Sequence, residues 1–542
     1  MEETLRNRFD SAESAEISVN IPWMTVVGAD FFVKFMEEND LYSIASSDVP
    51  DDRIAHAFQK SQLPVELVGD LRSVAQQIQT PLAIRSSSLL EDALYRPFAG
   101  VYATKMIPNN SPSVDTRFQR LVEAIKFVYA STFFKSAKAY IRSIDEETTA
   151  EKMAVIIQKV VGHRRGDRFY PNISGVARSY NYYPVGHARR EEGVVDLALG
   201  LGKTVVDGGL TWSFCPAYPK APPPFNSIDH MLKSTQTKFW AVNMGKPPVY
   251  DPIRETEYLL ESGLSEAYYD DTLRFVASTY VPQSDRIVPG VGHNGPRIID
   301  FAPILALNEI PLNDLVKELL TICEEIVGNE VEIEFALNLD PKGEQPPSFG
   351  FLQVRPMVVM NESLEVSSGQ VEEGEVLLAS KKVLGSGRRE DIEDIVYVRM
   401  DTFEPKFTPI IANELEKLNN ALADERRPYL LIGFGRWGTS DPWRGIPITW
   451  DQISWARVIA EVDLPGMEAD FSQGSHFFHN LTGFKVSYFS ADHAGEHGID
   501  FEWLEEQQEI AGTQYVRHVR TSRPLIVRID SRGGRGVILR HG

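Results

Sequence analysis

Cysteine is nearly absent: 542 residues carry two, Cys215 and Cys323, far apart and without C-x-x-C spacing. They can build neither a disulfide framework nor a zinc knuckle, so a reducing cytoplasm is the expected compartment. Positive charge is in deficit as well. Lys and Arg number 55 against 76 Asp and Glu, giving a formal net charge of −21. A surface this acidic repels phosphate backbones, and nucleic acid is not an expected partner. Phosphate binding, if the chain has it, must come from local arginines and backbone amides held in a cleft. No apolar run approaches the roughly 18 to 20 residues that span a bilayer, so no membrane partner is expected. The opening MEETLRNRFDSAESAE is too acidic and polar for a secretory signal. No repeats or heptads stand out, and low complexity is confined to the short APPPF. No strand–GxxxxGK[ST]–helix signature occurs, which excludes a P-loop.

What is present is an ordinary globular balance, 43% hydrophobic and 24% charged. The length exceeds what one core serves, and roughly two to four domains are expected. Residues 1–215 alternate strand-like runs (PLAIRSS, MAVIIQKVV, ISGVARSY) with helical patterns such as RLVEAIKFVYASTFF, an α/β reading. Residues 216–300 open on PAYPKAPPPFN and read as an irregular excursion or connecting subdomain. LNDLVKELLTICEEIVG then has helical spacing, and EVEIEFALNLD and SFGFLQVRPMVVM read as neighbouring strands joined at PKGEQPP. A composition shift at 361–372 marks a boundary and the place for a hinge. The remainder has its own strands: GEVLLAS, IVYVRM, YLLIGFG, RVIAEV, FKVSYFS and PLIVRID. The expected class is α/β and α+β, multidomain, with divisions at 1–215, 216–360 and 361–542.

Several stretches carry chemistry. In PLAIRSSSLLEDALYRPFAG a buried-looking strand delivers Arg85, then three serines, Glu91, Asp92 and Arg96. A guanidinium fork suits phosphate oxygens, and strand ends feeding polar loops are where α/β proteins place ligands. The plainer alternative pairs Arg85 with Glu91 or Asp92 and lets the serines cap a helix. In EVEIEF and FLQVRP, strand alternation puts Glu332 with Glu334 on one face and Gln353 with Arg355 on one face of the next. Two acids opposite an amide and a guanidinium suit Mg²⁺ with phosphate, whereas a cross-strand Glu–Arg pair is the alternative. Gln158–Lys159–Val160 offers a strand end that suits the rim of an adenine pocket, though a plain core strand reads the same way. GLGKTVVDGG, 200–209, permits close backbone approach to a ligand or a simple tight turn.

The order of these motifs is what decides. IRSS…ED…FAG, MAVxxQ, SGVA, GLGK…VxxG, EIEFA and LQVRP, in that sequence, resemble the ATP-grasp nucleotide-binding domain of the phosphoenolpyruvate synthase and pyruvate phosphate dikinase family. The resemblance runs from about residue 20, at IPWMTVVGADFFVKFMEEN, to about 358. It implies ATP and Mg²⁺ as cofactors. Arg85 and Arg96 would contact the phosphates, Gln158 and Val160 the adenine, Glu334 and Gln353 the Mg²⁺, and Arg355 the transferred phosphoryl. Beyond it, SSGQVEEGEVLLAS, DIVYVRMDTFEPKFTPIIANEL and PLIVRIDSRGGRGVIL are similar to the family's smaller, swivelling phosphohistidine domain. SQGSHFFHNLTG stands where that domain carries its histidine motif, which makes His476 the implied phosphoryl carrier and His479 its rival. YLLIGFGRWGTSDPWRGIPITW is unfamiliar. Its Gly433, Gly435 and Gly438 permit an anion-cradling loop, with Arg436, Trp437 and Trp443 offered to an acceptor, a docked domain or nothing.

Three departures from the family pattern stand out. No Gly-Gly-Lys segment precedes residue 20, where Arg6 and Arg8 are the nearby cations. Lys203 occupies the position of the family's Gly-Leu-Gly-Glu acid and would replace the missing lysine. No phosphoenolpyruvate/pyruvate barrel follows before Gly542. The expected function is an ATP- and Mg²⁺-dependent phosphotransferase acting on an unidentified small-molecule or protein acceptor, with an oligomer left open. A catalytically impaired ATP sensor and a scaffold that keeps only the fold are the alternatives.

Overall fold

The run EVEIEFALN alternates acids with large apolar residues, so its strand must turn one polar and one apolar face outward. The structure, a computed structural model, describes residues 17–541 except 92–99, 144–150, 226, 341, 358, 360–374, 440–442, 465–475, 493–498, 531 and 532. The chain divides into two units. One comprises Met1–Leu94, Tyr102–Lys138 and Glu147–Met357; the other comprises Tyr95–Val101, Ala139–Glu146 and Val358–Gly542. The proposed hinge at 361–372 and Arg96 lie outside the described residues.

In the first unit the strands Ser18–Asn20, Ser348–Pro356, Val331–Asn338, Ile173–Arg178, Val194–Ala198 and Trp212–Phe214 form, in that order, a six-stranded sheet. Ile333, Phe335 and Leu337 face its apolar side, in one core with Leu319 and Cys323 of the helix Leu312–Val327. Gly175 makes that packing possible, because a Cβ there would lie 2.4 Å from the Phe335 ring. Phe335 in turn stacks on Phe349 at 4.9 Å between ring centroids. The opposite face carries Glu332, Glu334, Arg178 and Asp196.

A second, four-stranded antiparallel sheet runs Met24–Val27, Ala154–Lys159, Leu82–Ser87, Lys105–Ile107. Leu82 and Ile84 are buried on the side covered by the helix Val114–Ser131. The Ser113 hydroxyl starts that helix by accepting from the Thr116 N–H at 3.3 Å, satisfying one orphan donor of the first turn.

Residues 216–300 are more regular than their Pro- and Gly-rich sequence suggests. They hold the helix Ile228–Ser234, the strands Lys238–Asn243 and Leu259–Gly263, the helix Leu264–Tyr269, and the three-stranded sheet of Arg286–Pro289, Ala277–Val281 and Arg297–Ile299. The strands are short, so their periodicity is too brief to read, yet Phe239, Ala241 and Val242 are buried in the same core as Phe169 and Tyr170. The proline-rich stretch ahead of them and residues 244–258 are the longer described stretches there without helix or strand.

The second unit is built on a nine-stranded sheet. Ser386–Val398, Tyr429–Phe434, Ala456–Asp463 and Ser487–Asp492 are its mutually parallel neighbours. Tyr429–Phe434 is buried along its whole length, as a parallel strand covered on both faces should be. Its apolar continuity, YLLIGF, explains that. Glu375–Ser380 and Lys382–Leu384 lie at opposite ends of the strand order although only Lys381 separates them. The sheet is therefore rolled upon itself, and the Ser380 hydroxyl donates to the Ser490 carbonyl at the seam. Gly536 permits the closure, since a Cβ there would meet the Phe489 ring at 2.6 Å. Among the described residues no helix is long and apolar enough to cross a membrane.

Candidate functional site

The strand Leu82–Ser87 ends at the edge of its buried run, and Arg85 leaves it on the face away from the Val114–Ser131 helix. One guanidinium nitrogen, Nη2, donates to Gln353 Oε1 and lies 3.5 Å from Glu334 Oε2. The Arg85 and Glu334 side chains are 20% and 17% exposed, at a rim where solvent and a ligand can reach them. Residues separated by 249 and 268 positions thus meet at one point of the first unit. Arg85 does not pair with Glu91. The Ser86 hydroxyl donates to Glu91 at 3.1 Å and the Ser88 hydroxyl accepts the Glu91 N–H at 3.2 Å, so the serines shape a turn rather than cap a helix.

The two acidic and basic strands pair as their alternation demands: Glu334 stands opposite Gln353 and Glu332 opposite Arg355. A bulge between Glu334 and Phe335 shifts the register by one on the partner strand, which re-aims the row above it. The two acids are not equivalent. Glu332 is buried and its carboxylate is 2.6 Å from Arg178, so it is committed to a protein cation. Among the described residues no group of three or more His, Cys, Asp or Glu side chains is arranged to hold a metal ion by itself. Oxygens of Glu334 and Gln353 beside two arginines suit a cation that brings its own waters and phosphate oxygens, as Mg²⁺ does.

Gln158 is buried and sits in register between Met24 and Ala83. The Lys159 N–H donates to the Trp23 carbonyl at 2.9 Å and the Val160 N–H to the Pro81 carbonyl at 3.0 Å. Both amides expected at a base edge are therefore engaged within the protein, and a base would have to be met by other groups. One feature of this sheet escaped sequence reasoning. Met24 and Val26 are about half exposed on the edge strand, and Val26 shares its row with Ile156 and Arg85. An apolar strip ending in a guanidinium is suited to a flat ring that carries phosphates. The signal was there in WMTVV, an alternation without polar residues on its second face.

Lys203 opens the short helix Lys203–Val206, whose Val205 packs with Val176 and Ala198 on the polar side of the six-stranded sheet. Its ammonium is 2.6 Å from Asp207 and 3.7 Å from Glu255. Burial works to lower its pKa, but the Glu255 and Asp207 carboxylates more than offset this and hold it above the usual lysine value. Lys203 is thus a charged lysine already held by two acids.

In the second unit, the helix His476–Gly483 begins with the candidate carrier. Gly100, at φ +69°, lies directly against the His476 imidazole: a Cβ there would be 2.3 Å from Nδ1. Gly438, at φ +68°, makes room in the same manner for the Phe477 ring. Gly100, the GRWG turn and the histidine helix therefore converge. His479 follows one turn on, its carbonyl accepting from the Thr482 hydroxyl at 2.9 Å. Trp437 differs from expectation. It is 2% exposed, with its indole filling the space that Gly433 leaves, so no ring face is offered to a ligand. The physical reason is the short Arg436–Trp437 strand, which pairs with Gly445–Ile446 and folds the indole inward. Arg436 is buried too, whereas Trp443 is 67% exposed.

The sequence model of the pyruvate phosphate dikinase AMP/ATP-binding domain matches residues 8–375. The chain belongs to that family. No curated protein matches it. The matched span contains Arg85, Gln158, Val160, Lys203, Glu334, Gln353 and Arg355, and ends well before the 429–450 region and His476. Membership in the pyruvate phosphate dikinase family supports ATP as a ligand and a kinase- or dikinase-like use of it.

Proposed function

We propose that this protein is an ATP- and Mg²⁺-dependent phosphotransferase. The observation that carries the reading is the meeting of Arg85 with Glu334 and Gln353. Arg85, Arg96 and Arg355 would bind the phosphate oxygens and neutralise charge that builds as the phosphoryl leaves, a role that depends on positioning rather than covalent chemistry. Glu334 and Gln353 would hold Mg²⁺, which would supply positive charge to offset that of the phosphates. The Gln158 and Val160 side chains and the Met24–Val26 strip, rather than the engaged Lys159 and Val160 amides, would seat the base, and Lys203 would turn from its acids toward the phosphates.

The acceptor in this reading is the neutral imidazole of His476, a good nucleophile near pH 7. A ring nitrogen forms the N–P bond while the bridging P–O bond breaks and its electron pair stays on the departing nucleotide. ADP results if one phosphoryl moves, AMP if a pyrophosphoryl moves. The second unit would then act as a phosphohistidine-like swivel domain that passes the group to an acceptor near Arg436, Trp437 and His479. The burial of Trp437 limits its part to shaping that place.

A second reading, an ATP sensor without turnover, draws on Lys203, which is paired with Asp207 and Glu255. One experiment separates the two. Incubation with β- and γ-labelled ATP and Mg²⁺ should give acid-labile protein label that His476→Ala abolishes. Label that survives His476→Ala sinks the carrier role, and thermal stabilisation by ATP–Mg²⁺ without label or nucleotide turnover favours the sensor.

A further inference from the structure

The strands Lys238–Asn243 and Leu259–Gly263 pair as a hairpin, yet residues 244–258 join them, a connection far longer than a hairpin needs. Lys105 clamps this loop. Its ammonium is 2.5 Å from the Glu257 carboxylate and donates to the Arg254 carbonyl at 2.9 Å. The Lys105 and Glu257 side chains are 5% and 3% exposed. Parting so buried a pair would leave a charge uncompensated, so this end of the loop is fixed. Lys105 stands opposite Ile84, the residue before Arg85, and the clamp therefore fastens the loop to the sheet that carries Arg85. Between Arg254 and Glu257 lies Glu255, whose carboxylate is 3.7 Å from the Lys203 ammonium. That lysine belongs to another layer. Val205 of its short helix packs on Val176, and Val176 stands opposite Glu334 on the polar face of the six-stranded sheet. Asp207, 2.6 Å from the ammonium, comes from the same short segment as Lys203, whereas Glu255 reaches it from the clamped loop with a side chain 42% exposed.

We propose that Glu255 is a positioning residue that competes with nucleotide phosphates for Lys203: it holds the ammonium at the loop until a triphosphate takes its place. Of the two acids on Lys203, Glu255 makes the longer contact, and it is the one that yields first. A triphosphate offers several anionic oxygens against one partly solvated carboxylate, so the exchange favours the nucleotide but costs it affinity. Glu255 thereby sets how much nucleotide the protein needs before it binds. The inference rests on the phosphotransferase reading, since it assumes that Lys203 meets phosphates.

Calorimetric titration of the full chain with ATP–Mg²⁺, with adenosine as control, tests it. Glu255→Gln should tighten ATP–Mg²⁺ about three- to fivefold, the scale of one partly exposed ion pair, and leave adenosine unchanged. Glu255→Asp keeps the charge but shortens the arm by one methylene, so it loses the contact and should tighten ATP–Mg²⁺ as well. A carboxylate acting only through its field would leave Glu255→Asp like the unaltered chain. In a Lys203→Met background both effects should vanish, because the lysine they release is gone. No tightening in Glu255→Gln, an unchanged Glu255→Asp, or tightening that persists without Lys203 overturns the inference and leaves the phosphotransferase reading standing. If neither the unaltered chain nor Glu255→Gln binds ATP–Mg²⁺, the phosphotransferase reading falls and the role of Glu255 with it. Binding by Glu255→Gln alone supports both.

Discussion

Arg85→Met removes a guanidinium while keeping most of its stem, so it separates the charge from the packing. Arg85 donates to Gln353 and stands 3.5 Å from Glu334, with both ionic side chains about one-fifth exposed. A partly solvated pair of this kind contributes at most about 1 kcal/mol to folding, so the melting temperature should fall by only a few degrees. The effect on ligand should be far larger. Charge-assisted hydrogen bonds are worth about 1.5–3 kcal/mol each, and losing a two-pronged contact of about 3 kcal/mol raises the ATP–Mg²⁺ Kd about 100-fold. AMP should suffer less and adenosine not at all. Arg85→Lys should recover part of the loss, since an ammonium supplies charge without the fork. Calorimetric titration with the three ligands, alongside thermal unfolding, reads every arm. A folded Arg85→Met protein whose ATP–Mg²⁺ Kd stays within about threefold of the unaltered chain makes Arg85 a tie between two sheets, and the nucleotide cleft is then wrongly placed.

Asp394, buried between His518, Arg427 and Arg520, gives the protein an acid limb. Burial alone would raise its pKa, but the hydrogen bonds from His518, Arg427 and Arg520 lower it to about 2. A folded pKa below the unfolded one stabilises above about pH 4, and that stability of about 2 kcal/mol is lost as pH falls towards 2. Denaturant titrations from pH 6 to 2 should show it, and an acid limb no flatter in Asp394→Asn would contradict the assignment. Gly100→Ala forces an L side chain into the left-handed region, costing about 1–2 kcal/mol, and drives a Cβ into the His476 ring. Thermal unfolding should register the cost and the imidazole NMR signals of His476 should move; unmoved signals would mean the contact is not made. Phe335→Ala empties a buried ring site beside Gly175 and Phe349 and should cost about 3–5 kcal/mol in denaturant unfolding. A loss under about 1 kcal/mol would show that the ring is not part of a tight core.

Alternation made the paired strands of Glu334 and Gln353 readable, because only one register buries Ile333, Phe335 and Leu337 together. A central strand of the second unit was readable for a different reason: YLLIGF is a continuous run without a charged residue. Residues 216–300 were not, since their strands are short and set among prolines and glycines that read as loop. The different fates of Glu332 and Glu334 were hidden as well. Both have the same local spacing, and only the buried Arg178 on another strand distinguishes them. Trp437 looked like a ligand platform because sequence shows an aromatic between glycines, not that Gly433 had vacated the space it fills.

The order of residues along the chain determined which side chains share a strand face and which positions need glycine, because those follow from backbone geometry within a few residues. It determined also the family, since motif order survives without any coordinates. Only the tertiary structure decided that Arg85 reaches Gln353, that Lys203 is held by Asp207 and Glu255, and that His476 rests on Gly100. Those contacts join segments tens to hundreds of residues apart, and long-range packing, not local propensity, brings such segments together.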